Sequence, residues 1–111
     1  MRLSNMPEAA TDFSFIPAVT RPGASGTATT RAHRAGEAQL RIVEYSPAYL
    51  ADHWCAKGHV LYVISGALVI EHEDGTPPAY LCVGMTWHVA DDETPAHRVR
   101  TEEGATVFIL D

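Results

Sequence analysis

The sequence has no apolar run long enough to cross a membrane. Its longest apolar stretch, residues 60–70, is interrupted by Ser65 and Gly66, whereas a membrane-spanning helix needs about 20 consecutive apolar residues. The first ten residues also lack the continuous apolar segment that a secretory signal peptide requires. We therefore expect no membrane as a partner and no export, and a cytoplasmic protein is the default expectation.

Basic residues are few and scattered. The chain has 8 lysines and arginines against 14 aspartates and glutamates, so its formal net charge is −6. Because this charge repels a phosphate backbone, we do not expect nucleic acid as a partner. The two cysteines, Cys55 and Cys82, are expected to be free thiols in a reducing compartment.

A sustained helical period, heptads and internal repeats are also absent. From Gln39 onward the chain consists of short β-prone runs that turn residues separate. The predicted strands are residues 40–45, 60–64, 67–71, 79–83, 85–89, 97–101 and 106–110. Seven short strands are typical of an antiparallel sandwich or barrel, and 111 residues are enough for one hydrophobic core. The predicted fold class is therefore all-β.

Two glycine-containing pairs between these runs are predicted hairpin turns. They are Ser65-Gly66 and Asp74-Gly75. Glycine readily adopts the positive φ that tight hairpin turns need. The first pair would therefore separate the second and third predicted strands.

Residues 1–35 are predicted to form an N-terminal arm, and residues 36–111 the barrel. The arm is rich in Ala, Thr, Ser, Pro and Gly and has no sustained helical period. Within it, Phe13, Phe15 and Ile16 would expose a large apolar area, so we expect part of the arm to pack on the barrel or on a partner subunit. The β-prone residues 27–30 could add an edge strand.

Four residues form a candidate metal site. His53 and Cys55 are two residues apart and share a face of an extended chain, and His59 is in phase with Leu61 in the following strand. If the strand's apolar residues face the core, His59 faces inward as well, where an imidazole needs a bonding partner. His97 lies on a separate strand and could complete the site. Imidazole and thiolate suit zinc, and three imidazoles with open positions also suit iron, nickel or copper.

These residues lie on a frame that resembles the cupin superfamily. The first cupin motif has a His-any-His pair, then a Glu and, further on, a Gly. His53, Cys55, His59 and Gly66 lie on this frame, with Cys55 in place of the second histidine and His59 in place of the glutamate. Gly84 and His97 are similar to the opening glycine and closing histidine of the second motif.

The string Asp52-His53-Trp54-Cys55 is, more narrowly, similar to the small uncharacterised cupin-fold proteins named for a DHCW motif. The resemblance implies an antiparallel double-stranded β-helix, or jelly-roll barrel, with a metal in its mouth. It also implies frequent dimers that share an N-terminal strand. Cupins include enzymes, storage proteins and small-molecule sensors, so the fold alone does not predict the chemistry.

Three functions remain open at this point. The first is a metal-dependent enzyme that acts on a small polar or carboxylated molecule, with one divalent transition metal (zinc, iron or nickel) and with His88 or Tyr62 as the proton carrier. The second is a non-catalytic module in which zinc, closed in by four ligands, stabilises a binding or sensor barrel. The third is a metal-free barrel whose histidines only form hydrogen bonds. In each case we expect a small-molecule ligand and a homodimer.

Overall fold

A computed structural model describes residues 3–111 as two antiparallel β-sheets with one strand in common. The elements are a 3-10 helix at Phe13–Phe15 and the strands β1 (Val19–Pro22), β2 (Thr27–Ala35), β3 (Ala38–Tyr45), β4 (Tyr49–Leu50), β5 (His59–His72), β6 (Ala79–Cys82), β7 (Thr86–Val89), β8 (His97–Thr101) and β9 (Ala105–Leu110). Within this part of the chain no helix is long and apolar enough to cross a lipid bilayer.

The strand β5 belongs to both sheets. The first sheet has the order β1-β2-β3-β9-β5-β7, and the second has the order β4-β8-β5-β6. The first half of β5 pairs with β7 and β9, and its second half pairs with β6 and β8. The two sheets thus form a curled antiparallel half-barrel, and the all-β prediction is confirmed.

The predicted hairpin turn at Ser65-Gly66 is wrong. The chain continues through these residues as one strand, and the register against β9 shifts between Val63 and Ser65, which marks a β-bulge. Gly66 has a φ of 74°, and its α-carbon lies so close to the backbone of Gly104 that no side chain would fit. The glycine therefore serves a bend where β5 passes from one sheet to the other, not a chain reversal.

Alternating apolar residues from both sheets form the core. The buried members are Val43, Leu61, Val63, Leu68, Ile70, Leu81, Ala105, Val107 and Ile109. On β9 the buried residues occur at every second position, so that strand places one face in the core. Full burial of each large aliphatic side chain stabilises the fold by about 1.5–3 kcal/mol.

The predicted arm contributes two strands and a short helix. The first two residues of the predicted range 1–35 lie outside the described part, and residues 19–35 contain β1 and β2, which extend the first sheet beyond β3. The guanidinium of Arg31 on β2 donates hydrogen bonds to the carbonyls of Phe13 and Ile16. Phe13 and Ile16 are half-buried, whereas Phe15 is 85% exposed.

Candidate metal centre

Three of the four predicted ligands converge in the structure. One ligand atom each from Cys55, His59 and His97 lies within 4.8 Å of the other two. Cys55 lies between β4 and β5, His59 begins β5, and His97 begins β8. Cys55 and His59 are only four residues apart, whereas His97 comes from the distant strand β8 and meets Cys55 through an antiparallel bridge.

Backbone hydrogen bonds hold Cys55 against His97. The amide of Cys55 donates to the carbonyl of His97 at 2.7 Å, and the amide of His97 donates to the carbonyl of Cys55 at 2.9 Å. The amide of Lys57 donates to the sulfur of Cys55 at 3.4 Å, and that sulfur is 3.7 Å from Nε2 of His59. Paired backbone bonds of this kind position the thiol and the imidazole before any ligand binds.

The imidazole of His97 is buried and lacks a conventional partner. The residue is 4% exposed, and neither ring nitrogen has a hydrogen-bond partner among residues 3–111. Its ring meets the rings of Trp87 and His59 edge-on, at 4.8 and 5.2 Å between centroids. Burial, with added repulsion from His59 and His72, lowers the pKa of His97 to about 4. The ring is therefore neutral near pH 7 and has a free nitrogen lone pair, as a metal ligand requires.

Asp111, which was not among the residues predicted from the sequence, orients His59. Its side chain is 1% exposed, and Oδ2 accepts a hydrogen bond from Nδ1 of His59 at 3.0 Å. The guanidinium of Arg41 donates to the same oxygen at 2.8 Å, and the ammonium of Lys57 lies 3.7 Å from it. Burial lowers the pKa of His59, and the bond to Asp111 partly opposes that shift. A carboxylate that holds Nδ1–H leaves Nε2 free to bind a metal.

A signal for Asp111 was present in the alternation of β9. Ala105, Val107 and Ile109 are buried at every second position, and Asp111 is the next residue in that series. A carboxylate at a core-facing position needs a charged or hydrogen-bonding partner. The series could therefore have identified Asp111 as part of the site.

The structure does not bring His53, His88 and Tyr62 to this cluster. The side chain of His53 is 77% exposed, and its Nδ1 lies 2.7 Å from the carboxylate of Asp52. His88 is exposed, and Tyr62 is 43% exposed. Both alternate with inward residues of β7 and β5, so they lie on the outer face of the first sheet. Their positions therefore give no support to a proton-carrying role.

His72 lies beside the cluster, although two glutamates flank it in the sequence. In the structure it pairs directly with His97 across β5 and β8, so the two side chains share a face. Its Nδ1 is buried without a hydrogen-bond partner in the described part of the chain. His72 is thus a neighbour of the cluster.

Comparisons with known proteins identify the fold. No protein-family model matches the sequence, and no curated protein matches it. Solved structures do match. A predicted oxalate decarboxylase from Thermotoga maritima is 11% identical, with a TM-score of 0.74 over 92% of this chain and 96% of that one. Ectoine synthase from P. lautus is 14% identical, with a TM-score of 0.73 over 93% of this chain and 76% of that one.

A third match is a sugar phosphate isomerase of the cupin superfamily from Silicibacter pomeroyi. It is 14% identical, with a TM-score of 0.71 over 92% of this chain and 74% of that one. The chain therefore has the cupin fold, as the first and second motifs indicated. The narrower resemblance to the DHCW-motif proteins stays a prediction.

Proposed function

We propose that this cupin-fold protein binds one divalent transition metal through Cys55, His59 and His97, and that the metal serves an enzymatic reaction on a small polar or carboxylated molecule. The observation that carries the proposal is the convergence of the three ligand atoms within 4.8 Å of one another. The two buried nitrogens of His97, which have no hydrogen-bond partner within residues 3–111, support it, because an orphaned buried imidazole is otherwise costly.

The donor set fits a metal and suits catalysis. A thiolate with two imidazoles is a good set for zinc, and iron and nickel also accept these ligands. Three protein ligands leave at least one coordination position for water or substrate, which is the pattern of catalytic sites. When bound, the metal would act as a Lewis acid toward a substrate oxygen.

The surrounding residues would hold the ligands in one state. Asp111 keeps the proton of His59 on Nδ1, and Arg41 donates to the same carboxylate oxygen. Trp87 packs its ring against that of His97. These contacts fix two imidazole orientations before a metal or a substrate arrives.

The second candidate is a non-catalytic zinc module. It requires a fourth protein ligand, so that the coordination shell is closed. The observation that favours it is the position of His72, which pairs with His97 on the same face and whose buried Nδ1 has no hydrogen-bond partner in the described part of the chain. In that case zinc would stabilise a binding or sensor barrel.

X-ray absorption spectroscopy of the zinc-loaded protein separates the two candidates. The proposal predicts one sulfur donor, two imidazole donors and at least one oxygen donor from water. The sulfur donor should be lost in Cys55→Ser and kept in Cys82→Ser, because Cys82 is exposed on β6. A closed shell of one sulfur and three imidazoles would refute the open site, and a shell without sulfur would refute the assignment of Cys55.

A second copy of the chain is the proposed partner. The outer face of the first sheet has an uncharged centre, where Tyr62 pairs with Phe108 and Phe108 pairs with Ile42. Val60 and Ile64 on the same face of β5 are 39% and 43% exposed. An uncharged face of this kind can pack against the same face of a second copy across a two-fold axis. We expect about 800 Å² of each copy to be buried.

Light scattering during size-exclusion chromatography tests this partner. The chain should elute at twice its monomer mass of 12.1 kDa. Tyr62→Glu should shift it to the monomer mass, because a charge would be buried in the interface. The control Val83→Glu changes an exposed residue between β6 and β7 and should leave the dimer intact. A monomeric wild-type protein would refute the proposal.

A further inference from the structure

A cavity lies on the inner face of the first three strands. Its volume is about 430 Å³, within the range of small-molecule sites. Arg41, Val43 and Tyr45 alternate along β3 and line it, and Thr30 and Ala28 of β2 lie opposite Val43 and Tyr45. The lining thus combines apolar side chains with a guanidinium and a phenol.

Arg41 offers this cavity an unused hydrogen-bond donor. Its terminal Nη2 donates to Asp111 at 2.8 Å, but its Nε is buried and has no acceptor among residues 3–111. Burial of a guanidinium N–H without an acceptor is unfavourable, so a bound acceptor would be stabilised there. This unused donor points to an oxygen-bearing ligand.

Tyr45 supplies a second donor. Burial raises the pKa of Tyr45, and electrostatic repulsion from Tyr49 raises it further. The hydroxyl of Tyr45 therefore keeps its proton. The two tyrosine rings lie 4.8 Å apart at a tilt of 36° and form an aromatic wall. A ligand with a flat apolar body fits against such a wall.

The charges around the cavity favour a singly charged ligand. Arg21 and Arg41 line it, but Asp52 also lines it, and Asp111 is paired with Arg41. Two cations with two nearby carboxylates leave little excess positive charge. A dianion such as phosphate would meet repulsion from Asp52, whereas a monocarboxylate can use both donors with less repulsion.

We infer that this cavity binds a small monocarboxylate with an apolar body, whose carboxylate accepts hydrogen bonds from Nε of Arg41 and the hydroxyl of Tyr45. The inference deepens the proposed function and rests on it for its catalytic meaning. Arg41 also connects the two sites, because Asp111 bonds both to Arg41 and to His59.

Calorimetric titration of the full chain tests the inference. The probe is benzoate, with benzamide as an uncharged molecule of the same shape and sulfate as an inorganic dianion. We expect benzoate to bind, and benzamide and sulfate to bind at least tenfold more weakly. Tyr45→Phe should weaken benzoate about tenfold, since it removes one hydrogen bond to a charged group.

Two further variants control for changes in folding. Tyr80→Phe makes the same deletion at an exposed residue of β6 and should leave benzoate affinity unchanged. Thr30→Leu places a larger side chain in the cavity and should also weaken binding, with the thermal unfolding midpoint of each variant measured alongside. Equal binding of benzamide and benzoate, or unchanged affinity in Tyr45→Phe, would overturn the inference.

The titration is run before and after removal of metal by a chelator. Neither Arg41 nor Tyr45 is a proposed metal ligand, so benzoate should bind to the protein both with and without metal. If the protein never contains metal but still binds benzoate, the proposed function is refuted and the cavity assignment stands. A metal-containing protein that binds no benzoate would overturn the cavity assignment alone.

Discussion

Replacement of Asp111 should weaken metal binding without direct contact between this residue and the metal. In Asp111→Asn the amide oxygen can still accept from Nδ1 of His59, but the negative charge that favours a strongly donating Nε2 is lost. Loss of a residue that supports a metal ligand reduces metal affinity about 10- to 100-fold. We therefore expect a loss of affinity of about tenfold in Asp111→Asn and of up to about a hundredfold in Asp111→Ala.

The same substitution should destabilise the metal-free protein. Asp111 is 1% exposed and pairs with Arg41, whose side chain is 23% exposed. Breaking a buried ion pair costs about 3–5 kcal/mol, and the partial exposure of Arg41 favours the lower end of that range. Urea unfolding after chelation measures this free energy of unfolding.

A competition titration with a chromophoric zinc chelator measures the affinity. The matched control is Asp52→Asn, because Asp52 is 59% exposed and its partner His53 lies outside the cluster. Zinc affinities of Asp111→Asn and Asp111→Ala within twofold of wild type would show that Asp111 has no influence on metal binding by His59.

Two further predictions concern stability. In the metal-free protein, His97 has a pKa of about 4 in the folded state and 6.5 as its ordinary value. Between pH 4 and pH 6.5 the unfolded state therefore binds more protons than the folded state. The free energy of unfolding should fall by on the order of 2–3 kcal/mol as the pH decreases from 6.5 toward 4. His97→Asn should lack this part of the pH dependence of urea unfolding, and an unchanged pH profile would contradict it. Gly66→Ala should destabilise by about 1–3 kcal/mol more than Gly75→Ala, because both have positive φ but only Gly66 abuts the backbone of Gly104. Equal unfolding midpoints for these two variants would show that the bulge tolerates a side chain.

Much of the fold was predictable from short-range patterns. Alternation of apolar residues and turn signals gave the all-β class and most of the strands, because period 2 is a local property of the chain. The bulge at Gly66 was not predictable in this way. A glycine with positive φ serves a tight turn and a strand bend equally well, and only the contact with Gly104 distinguishes them.

The candidate site was predictable only in part, because local spacing identifies some of its residues and long-range strand pairing supplies the others. Cys55, His59 and His97 matched a known spacing, and they converge. On an extended strand, His53 would face the same way as Cys55. The chain before β5 is not a regular strand, so the alternation of side chains does not hold there and His53 points elsewhere. Asp111 reaches His59 across 52 positions of sequence, a contact that only the pairing of β9 with β3 and β5 creates.

Elemental analysis of protein purified without an affinity tag shows whether the cluster of Cys55, His59 and His97 holds a metal. We predict about one equivalent of a divalent transition metal per chain, its loss in His59→Ala and its retention in His53→Ala, since His53 lies outside the cluster. Wild-type protein without metal, even after incubation with zinc, iron or nickel, would show that the cluster is not a metal site. Equal metal content in wild type and His59→Ala would exclude His59 as a ligand.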